Sequence, residues 1–355
     1  MSGTLEPGRD WLKIRGMSDA PTIQHPYLLF LGDAHDELAG KTARGVTQWR
    51  PEWCVGQWRL PGCQPNLGLP DLRPAEAAAR GARTMIIGVA NAGGVLPESW
   101  TPWLLEALEA GLDLANGLHA RLSRLPAVAE RARELGRHLH DVRHARHSYP
   151  VGKGRRRTGR RLLTVGTDCS VGKMYAALAL EREMRARGMK ADFRATGQTG
   201  ILIAGSGVPV DAVVADFIAG SVEWLTPDAA PDHWDVIEGQ GSLYHPSFAG
   251  VSLGLLHGAC PDALVLCHEP TRRHMRGLPD YPVPGLRACL EANLKAARLV
   301  NSEVKLVGGA LNTAGLDAPA RLDALRRAED ELGVPCVDPV ATGVGAIVER
   351  LQRVF

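Results

Sequence analysis

Gly166-Thr-Asp-Cys-Ser-Val-Gly-Lys-Met174 is the stretch whose reading decides the fold. It follows the apolar run Arg161-Leu-Leu-Thr-Val165 and opens a segment, Lys173 to Gly188, with apolar residues at helical spacing. Strand, Gly-containing turn and helix beginning at Gly-Lys make a P-loop. Backbone N–H groups and the helix N-terminus surround an anion there, and Lys173 adds a charge. The first Gly stands one residue further back than in G-x-x-x-x-G-K-[S/T]. Thr167, Asp168, Cys169, Ser170, Val171, Gly172, Lys173 and Met174 are therefore the candidate phosphate-binding residues, with an ordinary strand–helix turn as the structural alternative.

Met174 stands where nucleotide hydrolases carry a Ser or Thr whose hydroxyl ligates Mg²⁺, and a thioether does not hold that hard cation. The loop variant resembles that of dethiobiotin synthetase. It grips a phosphate that need not react, unless Mg²⁺ is held by other groups.

Outward from the loop the chain alternates short apolar strands with helices. Strands are expected at Ala191–Arg194, Trp234–Glu238, Ala263–Cys267 and Val304–Val307, and helices at Val210–Leu225, Gly285–Arg298 and Ala318–Leu332. This is a doubly wound, mainly parallel P-loop NTPase-like sheet over residues 151–355, with ligands at the carboxyl ends of its strands. Residues 1–150 show a weaker alternation: strands at Tyr27–Leu31, Thr84–Ala90 and Leu112–Asn116, and helices at Trp100–Ala110 and Pro126–Val142. That pattern suggests a Rossmann-like domain behind an extension over residues 1–20. The Gly-, Pro- and Arg-rich run from His144 to Arg161 reads as the linker, with the boundary near Pro150. Its cluster Lys153, Arg155, Arg156, Arg157, Arg160 and Arg161 is a solvated face or a grip on a second phosphate.

A net charge of +2 and 5% aromatic residues give no basis for nucleic-acid binding or an anionic membrane surface. No apolar run approaches the length of a membrane span. Seven dispersed cysteines without a C-x-x-C pair read as reduced thiols of a cytoplasmic protein.

Several segments should converge at the P-loop rim. Glu238, followed by Gly-Gln-Gly, is the candidate metal ligand or general base, with Asp216 and His245 behind it. Arg194-Ala-Thr-Gly-Gln-Thr-Gly200 offers Arg194, Thr196, Gln198 and Thr199 to a carboxylate or phosphate, or is a Gly-rich turn with a structural Arg. Arg272, Arg273 and Arg276 form a cationic loop fit for an acidic substrate, or a solvated one. His268, Glu269 and His274 lack metal-site spacing, and Pro270 keeps them off one helix face. No metal site is expected.

GTDCSVGKM, DFRATGQTGILIAG, VDAVVADFIAG, VIEGQGSLYHP and HEPTRRHMRG together resemble the DgcN-type D-glutamate N-acetyltransferase family, most densely from Gly166 to Arg276. The resemblance implies a Rossmann-like domain followed by a P-loop domain, and acetyl transfer from acetyl-CoA to the amino group of D-glutamate. Its partners would be small molecules and a second copy of the chain, with neither nucleic acid nor membrane. Met174 then fits a loop that anchors the phosphates of CoA, and the arginines suit two carboxylates. Two alternatives stay open: a Mg-ATP-dependent ligase or kinase of the dethiobiotin synthetase type, with Mg²⁺ on Asp168 and Glu238, and a non-catalytic nucleotide-binding regulator.

Overall fold

The computed structural model describes residues 22–145 and 147–355, so the extension expected over residues 1–20 lies outside the described residues. The described residues up to Val142 and those from Arg143 form two compact units.

In the first unit β1 (Tyr27–Gly32), β2 (Cys54–Arg59), β3 (Thr84–Ile87), β4 (Asp113–Asn116) and β5 (Leu139–Asp141) form a parallel sheet in the order β2-β1-β3-β4-β5. β1 and β3 are buried at every residue, as their mostly apolar sequences require, and the Thr84 hydroxyl donates to the Gln24 carbonyl (2.6 Å). β2 carries no such run. Its buried Gln57 is satisfied by Asn66 (2.9 Å) and the backbone of Leu67 (2.8 Å), a compensation no periodicity reveals. The helix expected over Pro126–Val142 ends at Glu134, because Gly136 turns the chain at a φ of +63° and β5 follows.

The second unit is built on β6 (Arg160–Gly166), β7 (Lys190–Arg194), β8 (His233–Ile237), β9 (Ala263–His268), a hairpin of β10 (His274–Met275) and β11 (Leu278–Pro282), β12 (Lys305–Leu311) and β13 (Cys336–Val337). The main sheet runs β13-β12-β9-β6-β8-β7, parallel throughout. The P-loop strand β6 is central, and β9 and β8 flank it. Parallel pairing sends the carboxyl ends of β6, β7, β8 and β9 to one rim, where the candidate site residues follow them.

The helix Lys173–Ala186, rich in Ala, Leu, Glu and Arg, runs from the loop to a stop at Gly188 (φ +77°). Ala318–Leu332 matches its expected range and is capped by Asp317, whose carboxylate accepts the Ala320 N–H at 2.8 Å. Val210–Leu225 is not one helix. Single 3₁₀ turns at Val210–Ala212 and Ala215–Phe217 precede Ile218–Leu225, because the β-branched pair Val213-Val214 between them is extended.

The basic cluster from Lys153 to Arg161 divides: Lys153, Arg155 and Arg156 are exposed, as a solvated face would be, whereas Arg157 and Arg161 are buried. Arg161 is 1% exposed and pairs with Asp262 (3.4 Å), and Arg157 donates to the carbonyls of Gly258 (2.8 Å) and Ala259 (3.2 Å) at a helix end. Arg155 pairs with Asp228, and Arg160 bonds the Phe355 carbonyl. All of these lie at the amino end of β6, about 20 Å of strand away from the P-loop, so they cannot reach the same ligand.

Candidate functional site

The loop from Gly166 to Lys173 is shaped by two left-handed residues, Ser170 (φ +55°) and Gly172 (φ +102°), which wind its amides toward the start of the Lys173–Ala186 helix. Lys173 turns inward. Its side chain threads between Gly166 and Gly239, where a Cβ would stand 3.4 Å and 3.0 Å from its Cδ, and its Nζ donates to the Asp168 carbonyl at 2.7 Å. Burial holds its pKa below the ordinary lysine value.

Asp168 is fully buried and both of its carboxylate oxygens are engaged. Oδ1 accepts the Cys169 N–H (2.6 Å), while Oδ2 accepts Arg272 Nη1 (2.8 Å) and the backbone N–H of Arg276 (2.8 Å). Arg272 also donates to the carbonyl of Cys169 (2.5 Å) and to Glu269, and Arg276 reaches the Ser170 hydroxyl. The segment after β9 is thus buckled onto the P-loop. Arg272 is a half-buried strut rather than a free substrate ligand, whereas Arg273 and Arg276 are exposed at the rim.

Glu238 follows β8 and is 5% exposed. Its Oε2 accepts the N–H groups of Thr196 (2.9 Å) and Gly197 (3.1 Å), and Thr196 Oγ1 donates to its carbonyl (2.6 Å). Gly197 and Gly200 make the seat, since a Cβ at Gly200 would collide with the carboxylate. Burial raises the Glu238 pKa to about 7, against the pull of these donors, Gln240 and Lys173. A carboxyl poised there exchanges a proton near neutral pH.

A third cluster joins the loop to the segment after β8. Asp168, Cys169 and His245 bring a carboxylate oxygen, a thiol sulfur and a ring nitrogen within 4.8 Å of one another. Asp168 and His245 are buried, and Cys169 is half-buried. Ser247 N–H donates to His245 Nδ1 (3.2 Å), which assigns the ring proton to Nε2, facing the Arg276 carbonyl at 3.3 Å. Such a donor set suits a zinc-like cation, but Arg272 already neutralises Asp168. Sequence spacing hides this cluster, because 76 residues of chain separate Cys169 from His245. Ser242 Oγ donates to the Thr167 carbonyl (3.1 Å), and Thr167 Oγ1 meets His268 Nδ1 (2.9 Å), so His268 braces the loop.

Other expected residues go elsewhere. Arg194 is committed to Asp235 (2.6 Å) within the sheet. Asp216 is exposed in its 3₁₀ turn and makes no hydrogen bond to the loop or to Glu238 among the described residues. Gln198 and Thr199 are half-exposed at the start of the short helix Gln198–Ala204, beside the Glu238 seat. His274 is exposed on β10, and Glu269 is held by Arg272.

No helix among the described residues is long and apolar enough to cross a membrane. Two family models match the chain, the DUF1611 N-terminal Rossmann-like domain over residues 58–145 and the DUF1611 C-terminal P-loop domain over residues 150–348. A D-glutamate N-acetyltransferase of Tritonibacter scottomollicae is 55% identical over 332 residues, 94% of this chain and 100% of that protein. Another, from a Pseudoalteromonas species, is 49% identical over 93% of this chain and 99% of its own length. The crystal structure of a DUF1611 family protein from Anabaena variabilis superposes with a TM-score of 0.81 at 32% identity, covering 93% of this chain and all of that one. A Rossmann-like domain, a P-loop domain with a parallel sheet, and full-length relatives place this chain in the DUF1611 family.

Proposed function

We propose that the protein is an N-acetyltransferase that moves an acetyl group from acetyl-CoA to the amino group of D-glutamate. The observation that carries this reading is the identity of 55% and 49%, over nearly whole chains, to two proteins of that name. The site supports it independently. Acyl transfer needs a group that accepts the ammonium proton, and Glu238, buried with a pKa of about 7, fits. It also needs donors for the oxyanion of the tetrahedral intermediate, and the amides of the P-loop fit that. The exposed Arg273 and Arg276 at the rim suit the carboxylates of the acceptor. We assign the P-loop to the donor and the Glu238 side to the acceptor.

The ligase or kinase alternative fits poorly. Met174 offers no hydroxyl, Asp168 is held by Arg272, and the two amides on Glu238 Oε2 leave only its Oε1 open, a poor donor set for Mg²⁺. The deciding experiment follows free thiol release from acetyl-CoA with a panel of D- and L-amino acids, with and without EDTA. Release with D-glutamate that survives EDTA is expected. No release with D-glutamate would sink the assignment.

A further inference from the structure

We infer that Cys169 is the nucleophile of the transfer, taking the acetyl group from the thioester onto its own sulfur before passing it to the amine. The inference rests on the acetyltransferase reading and deepens it. Within the cluster of Asp168, Cys169 and His245, the thiol is the member least covered by protein, and it stands at the bend of a loop whose amides point toward a helix start. A base stands close to the sulfur: a ring nitrogen of His245 lies within 4.8 Å of it, on an imidazole held in place by the Ser247 N–H at Nδ1 (3.2 Å) and the Arg276 carbonyl at Nε2 (3.3 Å). A third group orients both. Asp168 holds the Cys169 amide through Oδ1 and the Arg276 peptide through Oδ2, and the carbonyl of that same Arg276 receives the His245 Nε2–H. Nucleophile, base and orienting carboxylate are thereby fixed from one point.

The cations around the sulfur, Lys173, Arg276 and Arg272, favour its thiolate, but burial outweighs them and pushes the thiol pKa up. The resting group is a thiol that ionises only as it reacts, which is why a base beside it is needed.

In the first half-reaction Cys169 Sγ attacks the thioester carbonyl carbon. Its proton passes to His245, the carbon–sulfur bond to CoA breaks, and the CoA thiolate leaves with that proton. In the second half the amine, having given its ammonium proton to Glu238, attacks the acetyl carbon. The bond to Sγ breaks, and the proton shed by the attacking nitrogen returns to the Cys169 sulfur through His245. One thioester is exchanged for another and then for an amide, so no oxidant or other reactant is needed. The P-loop amides then serve the oxyanion. The phosphates of CoA, a pantetheine arm away from the acetyl group, lie outside the loop, in keeping with the inward turn of Lys173.

The test incubates the whole protein with acetyl-CoA and no amino acid, quenches rapidly in acid, and reads the intact mass and the peptide map. One added acetyl group on the peptide holding Cys169 is expected, labile to hydroxylamine and discharged by D-glutamate. Cys169→Ala should lose the adduct, and Cys54→Ser, in the other unit, should keep it. His245→Ala should slow adduct formation about 10²–10⁴-fold. If D-glutamate is acetylated but the wild-type protein never carries the adduct, or Cys169→Ala keeps its rate, the inference is overturned while the proposed function stands. If no thiol is released with D-glutamate at all, it is the function that fails.

Discussion

Replacing Glu238 by Gln should cost activity and add stability, and pH should govern both. In the folded chain the carboxyl titrates near 7 rather than 4.5, because it is buried. The native state therefore keeps a proton that the unfolded chain releases near pH 4.5. Wild-type stability is greatest below that value and declines as pH rises through about 7. At about 1.4 kcal/mol per pH unit the gap corresponds to about 3 kcal/mol lost by pH 8. Gln cannot ionise, and its carbonyl can still accept the Thr196 and Gly197 amides, so the variant avoids most of this cost. Denaturant midpoints at pH 5 and pH 8 should nearly coincide for the variant and diverge for the wild type, with the variant the more stable at pH 8. Catalysis runs the other way. If the carboxylate is the base, wild-type kcat/KM at pH 6 lies about tenfold below its value near pH 8, and the variant loses about 10²–10⁴-fold and this low-pH limb. A pH-independent wild type, or a variant less stable than wild type at both pH values, would refute the reasoning.

Gly200→Ala puts a methyl into the Glu238 carboxylate; we expect about 1–3 kcal/mol of destabilisation and a fall in kcat, read by thermal unfolding and steady-state kinetics. Lys173→Ala, which empties the channel between Gly166 and Gly239 and frees the Asp168 carbonyl, should loosen the loop, lower kcat/KM for acetyl-CoA about tenfold or more and leave KM for D-glutamate within about threefold. An equal effect on both would remove the loop from the donor site. Asp262→Asn breaks the buried pair with Arg161 at the far end of β6 and should cost about 3 kcal/mol of stability with both KM values unchanged. A change in KM there would mean that the basic cluster does serve a ligand.

The parallel P-loop sheet was legible because the buried stretches of β6, Leu162–Val165, and β9, Ala263–Cys267, are short and mostly apolar and are bounded by Gly and Pro, and Glu238 was legible as an acid at a strand end. What stayed hidden depended on partners far along the chain. The Asp168–Arg272 strut spans 104 residues, and Arg161 reads as a linker charge until Asp262 is seen opposite it. Arg194 looked available for the same reason, since Asp235 sits on the next strand. The Val210–Leu225 error was local: apolar spacing alone did not weigh the stiffness of two adjacent valines.

The placement of β6 between β8 and β9 has a consequence for synthesis on the ribosome. The first unit draws all its strands from residues up to Val142 and can close before the second has emerged. β6 is different. It is apolar and buried when folded, yet its partners β8 and β9 end about 70 and 100 residues later, and at about 5–20 residues per second the second of them arrives some 5–20 s after it. Through that interval an unpaired sticky strand is carried by a nascent chain, and its direct neighbour at that stage is the arginine-rich run from Arg155 to Arg161. Those charges flank the hydrophobic strand as gatekeepers until Arg157 and Arg161 are buried, the latter against Asp262, while Arg155 stays at the surface beside Asp228.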